Sequence, residues 1–96
     1  MGMKQIYDKS NPTVIANTQA AHKAFSEAIE AAREELGMTK YELGNSADAS
    51  PAQTHRVLTD PDANLTLATM QRFAAPVGKK VVLQVVDIDE EVEGEL

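Results

Sequence analysis

Apolar residues recur at spacings of three and four through the first half of the chain, which is the period of an α-helix. Between residues 17 and 36 they would lie on one face of a single helix. The stripe consists of Phe25, Ala28, Ile29, Ala32 and Leu36. Gly37 follows as a C-terminal stop. The pattern therefore predicts a first helix from about Asn17 to Leu36 that buries this stripe.

Two shorter helices are predicted next, each with its own start signal. Thr39 and Glu42 match the capping box T-x-x-E, in which two side chains satisfy exposed backbone N–H groups. Ser50 is a favourable N-cap, and Pro51 takes the first helical position, where a missing N–H costs nothing. Asp48 stands between the helices, where a sharp turn needs a residue that tolerates positive φ. This arrangement has the size of a helix-turn-helix, whose second helix fits the DNA major groove.

A last helix is predicted after the polar segment TDPDAN. Thr66 caps this helix, and Pro76 ends it because the residue before a proline disfavours helical geometry. Its apolar stripe consists of Leu67, Met70, Phe73 and Ala74. We interpret this stripe as core and not as a cofactor-binding set.

The segment KKVVLQVVD after Gly78 reads as a β-strand that is apolar on both faces, with Gln84 as the polar exception. An isolated strand leaves its edges unpaired, so we expect it to pair with residues 3–7, with its copy in a second subunit, or with both. The expected dimerisation residues are Val81, Val82, Leu83, Val85 and Val86.

The 96 residues are enough for one domain, whose core is marginal for a monomer. We divide the chain into an N-terminal arm or short strand (1–16), a helical domain with its C-terminal strand (17–87) and an acidic tail expected to be disordered (88–96). The predicted fold is therefore mainly α: a bundle of about four helices with a C-terminal β-strand that forms a small intersubunit sheet.

The net charge of −6 is concentrated at the C-terminus. Six of the 15 acidic residues lie in the last ten positions, which leaves nine acidic residues against nine Lys and Arg before them. A neutral body argues against strong non-specific polyanion binding but permits a locally positive face. The acidic tail could solvate the protein, fold onto a basic partner, or mimic the charge of DNA.

Several functions find no support in the sequence. Without cysteine there is no disulfide and no thiolate zinc site, and the two histidines, His22 and His55, fall on different predicted helices. No nucleophile–base pair or phosphate-binding glycine loop is present, so we expect neither an enzyme nor a cofactor or metal. The N-terminus lacks the apolar core of a signal peptide, and no apolar run is long enough for a membrane span, which predicts a cytoplasmic protein.

Taken together, these segments resemble the lambda-repressor-like (Xre-type) helix-turn-helix family over roughly residues 20–87. Met38–Gly44 is similar to the family's positioning helix, Ala47–Ser50 to its turn and Ser50–Leu58 to its recognition helix. The segments Asn64–Met70 and Gly78–Leu83 resemble a subgroup in which a C-terminal strand pairs across a dimer, and which includes many Hip-type and Hig-type antitoxins.

The resemblance implies a homodimeric repressor that binds double-stranded DNA at a palindromic operator, which could be its own promoter. The alternative is a protein-interaction module that uses the same fold as a scaffold, such as a toxin-neutralising antitoxin or a phage-type regulator or inhibitor. The chain departs from the family pattern in three places: Asp48 replaces the usual turn glycine, Pro51 and Ala52 replace two polar base-reading positions, and Leu58 replaces a common glutamate.

In a DNA complex Arg56 is the candidate reader of a guanine, because its guanidinium can bind O6 and N7 together. Gln53 and His55 are secondary candidates for base or phosphate contacts, and Ala52 could pack on a thymine methyl group. By resemblance, the helix starts at Thr39, Lys40 and Ser50 would face phosphates. Arg56 could instead pair with Asp60, and His55 could be an ordinary surface histidine.

Overall fold

The computed structural model describes residues 5–89. Four α-helices and a short 3-10 helix follow one another within this range, so the prediction of a mainly α protein with four helices is confirmed. They are α1 Pro12–Glu35, α2 Lys40–Ser46, α3 Pro51–Thr59, α4 Leu67–Ala74 and the 3-10 helix Ala75–Val77. Since α1 is 24 residues long, it extends for about 36 Å at the usual rise per residue.

The predicted start of the first helix near Asn17 is wrong, because α1 begins at Pro12. The side chain of Asn11 caps the helix by accepting a hydrogen bond from the backbone N–H of Thr13 at 2.8 Å. Pro12 follows at a position where no N–H is needed. Residues 12–16 therefore belong to the helix and not to an N-terminal arm.

The buried face of α1 agrees only partly with the predicted stripe. Ile29 and Ala32 are buried and Phe25 packs against the core, as predicted. Ala28 is exposed and Leu36 is 59% exposed, so both predictions are wrong. Leu36 lies beyond the end of the helix as its C-cap and no longer follows the helical period.

The core lies where all four helices and the 3-10 helix meet. Phe73 of α4 and Leu43 of α2 are its largest fully buried side chains. Its other members are Ile29, Ala32, Ala47, Val57, Leu58, Ala74 and Val77. In the predicted α4 stripe, the burial of Phe73 and Ala74 is confirmed, and Met70 is half-buried. Leu67 is 46% exposed, so its predicted burial is wrong.

The predicted C-terminal strand forms no β-ladder within residues 5–89, and neither do residues 5–7. The expected pairing of the two segments inside one chain is therefore absent from the described residues. A strand needs a second strand along its backbone edge, and the described residues of the single chain offer none to this segment. Pairing with a second copy stays a prediction.

Some of the sequence-based predictions fall outside the described range. Residues 1–4 of the proposed arm and residues 90–96 of the acidic tail belong to this group. No helix among the described residues has both the length and the apolar composition that a membrane span requires.

Candidate functional site

Helices α2 and α3 pack closely because Gly44 has no side chain. A Cβ placed on Gly44 would overlap the Thr54 hydroxyl and would lie 3.3 Å from the Thr54 Cβ. Thr54 is 2% exposed, and its hydroxyl donates to the carbonyl oxygen of Ser50 at 2.9 Å. This contact was not predicted from the sequence, although a glycine inside a short helix is unfavourable and therefore indicates close packing.

The turn between α2 and α3 has the backbone that sequence analysis predicted. Asp48 has a φ of 57°, which confirms a residue in the left-handed region. Arg72 of α4 holds this turn from outside: its Nε donates to the Ala47 carbonyl and its Nη2 to the Asp48 carbonyl, each at 2.9 Å. This contact was not predictable from local sequence signals, since Arg72 lies 24 residues beyond Asp48.

Helix α3 is anchored on one face and free on the other. Its N-terminus is capped by Ser50, whose hydroxyl accepts from the Gln53 N–H at 3.0 Å, as predicted. Thr54, Val57 and Leu58 are buried against the other helices. The opposite face places all the predicted α3 contact residues in solvent: Ala52, Gln53, His55 and Arg56.

The C-terminal end of α3 is held by His22 of α1. The Nε2 atom of His22 lies 2.8 Å from the carbonyl oxygen of Val57, and the histidine is only 8% exposed. A carbonyl can only accept, so Nε2 carries the proton and donates. This role of His22 was not predicted from the sequence.

Arg56 is exposed and close to one acidic neighbour. Its Nε lies 3.5 Å from Asp60 Oδ2, one helical turn further along the chain, and its side chain is 66% exposed. The ion pair that sequence analysis left open as an alternative is thus present. An exposed pair of this kind contributes about 0–1 kcal/mol, so Arg56 can exchange Asp60 for another acceptor at little cost.

The start of α2 is a mixed electrostatic environment. Thr39 and Glu42 form the predicted capping box, with the Glu42 carboxylate accepting the Thr39 backbone N–H at 2.8 Å. Hydrogen bonds from the backbone N–H and the side chain of Thr39 to the Glu42 carboxylate hold the pKa of this carboxyl below its ordinary value. Lys40 Nζ lies 3.7 Å from the Glu30 carboxylate and is 53% exposed. A phosphate at this end would meet a lysine and also an existing carboxylate.

A narrow crevice runs between α2 and the start of α3. Its lining includes Lys40, Tyr41, Asn45 and Pro51. Tyr41 is 68% exposed at the mouth of this crevice. Tyr41 was not among the predicted contact residues, although an exposed aromatic residue beside a lysine at a helix start can indicate a contact surface.

The predicted dimerisation residues are largely unburied in the single chain. Val81 packs against the core, whereas the apolar side chains after it are exposed. Their exposed fractions are 74% for Val82, 66% for Leu83, 98% for Val85 and 37% for Val86. A row of exposed apolar residues of this kind is typical of a surface that another chain covers.

No group of three or more His, Asp or Glu side chains within residues 5–89 converges in a way that would hold a metal ion. Comparison of the chain with models of protein families, with curated proteins and with solved structures gave no match. The geometry of α2, the turn and α3 is therefore the basis for a functional proposal.

Proposed function

We propose that the protein is a sequence-specific DNA-binding repressor that acts as a homodimer, with α2, the turn and α3 as a helix-turn-helix. The observation that carries the proposal is the two-sided character of α3. Thr54, Val57 and Leu58 fix the helix to the body, and the side chains between them face solvent. A short helix held in this way can enter the major groove without rearrangement.

Arg56 is the proposed base reader on this exposed face. Its guanidinium has five N–H donors in a planar fork that matches O6 and N7 of guanine. Contact with a base requires Arg56 to leave Asp60, which costs little because both groups are solvated. Gln53 and His55 on the same exposed face are the next candidates, and Ala52 offers only a methyl group for a thymine.

Phosphate contacts would supply most of the affinity in this proposal. Ser50 at the start of α3 and Lys40 at the start of α2 are the proposed donors, with Thr39 beside Lys40. The Glu42 carboxylate already occupies the first turn of α2, so we expect Lys40 to contribute more than the backbone N–H groups there. Few cations take part, and the salt dependence of binding should be correspondingly shallow.

A second copy would double the number of readers. One Arg56 per subunit discriminates by only about 1–3 kcal/mol for a bidentate guanine contact. Two recognition helices on a palindrome, with half-sites one helical turn apart, would give useful specificity. The exposed apolar segment 82–86 is the proposed source of the dimer.

The test is a gel shift with DNA from the upstream region of the protein's own gene, titrated over salt concentration. The wild-type protein is compared with Arg56→Ala and with Lys9→Ala, a matched control that removes one exposed positive charge before α1. We expect specific binding that is lost in Arg56→Ala and retained in Lys9→Ala. Circular dichroism should show the same helix content in all three proteins.

Equal binding by Arg56→Ala and Lys9→Ala would refute the assignment of Arg56. Absence of wild-type binding at low salt would refute DNA binding at this promoter. The exposed α3 face would then be examined as a docking surface for a protein, beginning with the product of the neighbouring gene.

A further inference from the structure

The side chain of Gln71 binds both backbone groups of Val81. Its Nε2 donates to the Val81 carbonyl, and its Oε1 accepts the Val81 N–H, each at 3.0 Å. These two bonds reproduce the pair that two opposite residues exchange in an antiparallel sheet. Helix α4 thus already occupies the Val81 position on one backbone edge of the C-terminal segment.

This contact decides which edge of the segment stays open. In an extended chain the N–H and C=O of one residue point to the same edge, and those of the next residue point to the opposite edge. No helix or turn interrupts residues 79–87. If the segment continues as a strand from Val81, the backbone groups of residues 83 and 85 point to the same edge as those of Val81, which Gln71 covers. Those of 82, 84 and 86 face the free edge.

From this we infer that a second copy pairs antiparallel along the free edge, with the two-fold axis at Gln84. This inference rests on the homodimer of the proposed function and specifies its interface. When two copies pair along the same free edge, residues 82, 84 and 86 of one copy must face residues of this same set in the other copy. The register centred on Gln84 is the one that uses all three free positions: Val82 opposite Val86 of the second copy, Gln84 opposite its own copy, and Val86 opposite Val82.

Side-chain chemistry favours the same register. Leu83 of one copy would lie opposite Val85 of the other, so apolar side chains meet on both sides of the axis. Further out, the exposed Lys79 and Lys80 of one copy would approach the exposed Asp87 and Asp89 of the other. Opposite charges on facing strand positions stabilise a pair, whereas like charges destabilise it. Antiparallel pairing thus brings the basic start of each segment to the acidic end of the other.

Cysteine cross-linking tests the register, because the natural chain contains no cysteine. In Gln84→Cys the two Cα atoms would be about 5.5 Å apart, within the range of a disulfide. In Val82→Cys or Val86→Cys alone, the two copies of the cysteine would be about 14 Å apart along the strands at about 3.4 Å per residue. We expect Gln84→Cys to oxidise rapidly to a covalent dimer. Val82→Cys and Val86→Cys should form a covalent dimer only when the two variants are mixed with each other.

The role of Gln71 is tested in the same assay with Gln71→Glu, which keeps the shape of the side chain but cannot donate to the Val81 carbonyl. Its matched control is Gln5→Glu, which introduces the same charge at an exposed residue. We expect Gln71→Glu to add cross-linking at Leu83→Cys, because the second edge becomes available. Gln5→Glu should leave the pattern unchanged.

The preferred formation of Leu83→Cys or Val85→Cys dimers in the otherwise unchanged chain would overturn the register. A monomer in sedimentation equilibrium, or no cross-linking at any position, would overturn the interface. An unchanged pattern in Gln71→Glu would overturn the assignment of Gln71. Cross-linking is measured without DNA, so these outcomes are independent of whether the protein binds an operator.

Discussion

His22 Nε2 lies 2.8 Å from the carbonyl oxygen of Val57, at the end of α3. In a continuing helix this oxygen would accept from the N–H of residue 61, but residue 61 is a proline and has none. A histidine from a distant helix thus satisfies a carbonyl that the local sequence leaves without a donor. The contact joins α1 to the end of the proposed recognition helix.

Replacing His22 should therefore destabilise the fold. For His22→Leu we expect the free energy of unfolding to fall by about 1–3 kcal/mol, because the buried carbonyl of Val57 loses its donor. His22→Gln should recover part of the loss through its amide N–H. The measurement is urea denaturation, with His55→Leu as the exposed control expected to change stability by less than about 0.5 kcal/mol. Equal losses in His22→Leu and His55→Leu would contradict this role.

The close approach of α2 and α3 at Gly44 predicts a coupled pair of substitutions. Gly44→Ala should lower the free energy of unfolding by about 1–3 kcal/mol, because its Cβ would overlap the Thr54 hydroxyl. In the Thr54→Ala background the same substitution should cost less, since the overlapping oxygen is gone. A double-mutant cycle by thermal or urea denaturation measures the coupling. The prediction fails when Gly44→Ala costs the same in both backgrounds.

Arg72 should control the mobility of the turn before α3. Arg72→Lys keeps the charge but loses the planar fork that reaches two carbonyls, so we expect a loss of about 1–3 kcal/mol. Amide hydrogen exchange should increase at residues 47–50 more than elsewhere. Lys79→Ala, which removes an exposed charge after α4, is the control. Unchanged exchange in the turn of Arg72→Lys would show that the two bonds do not order it.

Asp60 competes with DNA for Arg56 in the proposed function. Asp60→Asn should tighten operator binding by about twofold to fivefold, since it removes an exposed ion pair of about 0–1 kcal/mol. In the Arg56→Ala background, adding Asp60→Asn should leave the remaining non-specific DNA binding unchanged. Asp62→Asn removes a charge two residues away and serves as the control for general electrostatics. A gain of the same size from Asp62→Asn would assign the effect to net charge and not to Arg56.

The capping box at the start of α2 predicts part of the acid sensitivity. The pKa of Glu42 is lowered because its carboxylate accepts hydrogen bonds from Thr39. The folded state thus favours the ionised form, and its stabilising effect is fully present above the pKa that this carboxyl has in the unfolded chain. It is lost as the pH falls through the folded pKa. Stability measured against pH should fall more steeply in wild type than in Glu42→Gln, and parallel curves would contradict this.

Local signals along the chain determined the starts of the three shorter helices. Thr39, Ser50 and Thr66 each cap a helix in the structure as their sequence context predicts. A cap depends only on the next few residues, so it can be read without knowing the fold. Asn11 and Pro12 carry the same kind of signal and start α1, although the apolar period alone predicts a start near Asn17.

The faces that helices bury depended on the tertiary structure. Ala28 and Leu67 follow the helical period of the core and yet are exposed, because the packing partners of α1 and α4 cover a narrower stripe than the period allows. The α3 contact face was predictable, since the proposed contact residues Ala52, Gln53, His55 and Arg56 are all exposed. Its exposure was not evidence of DNA binding by itself, because fold does not determine function.

By itself the sequence determined the helix starts, the left-handed turn at Asp48 and the two-faced apolar segment after Gly78. Only the tertiary structure decided that His22 completes the end of α3, that Arg72 holds the turn and that Gln71 covers one edge of Val81. The physical reason is distance along the chain. Caps and turns are made by neighbours in sequence, whereas these three contacts join side chains to backbone atoms 10 to 35 residues away, and that pairing exists only once the helices have packed.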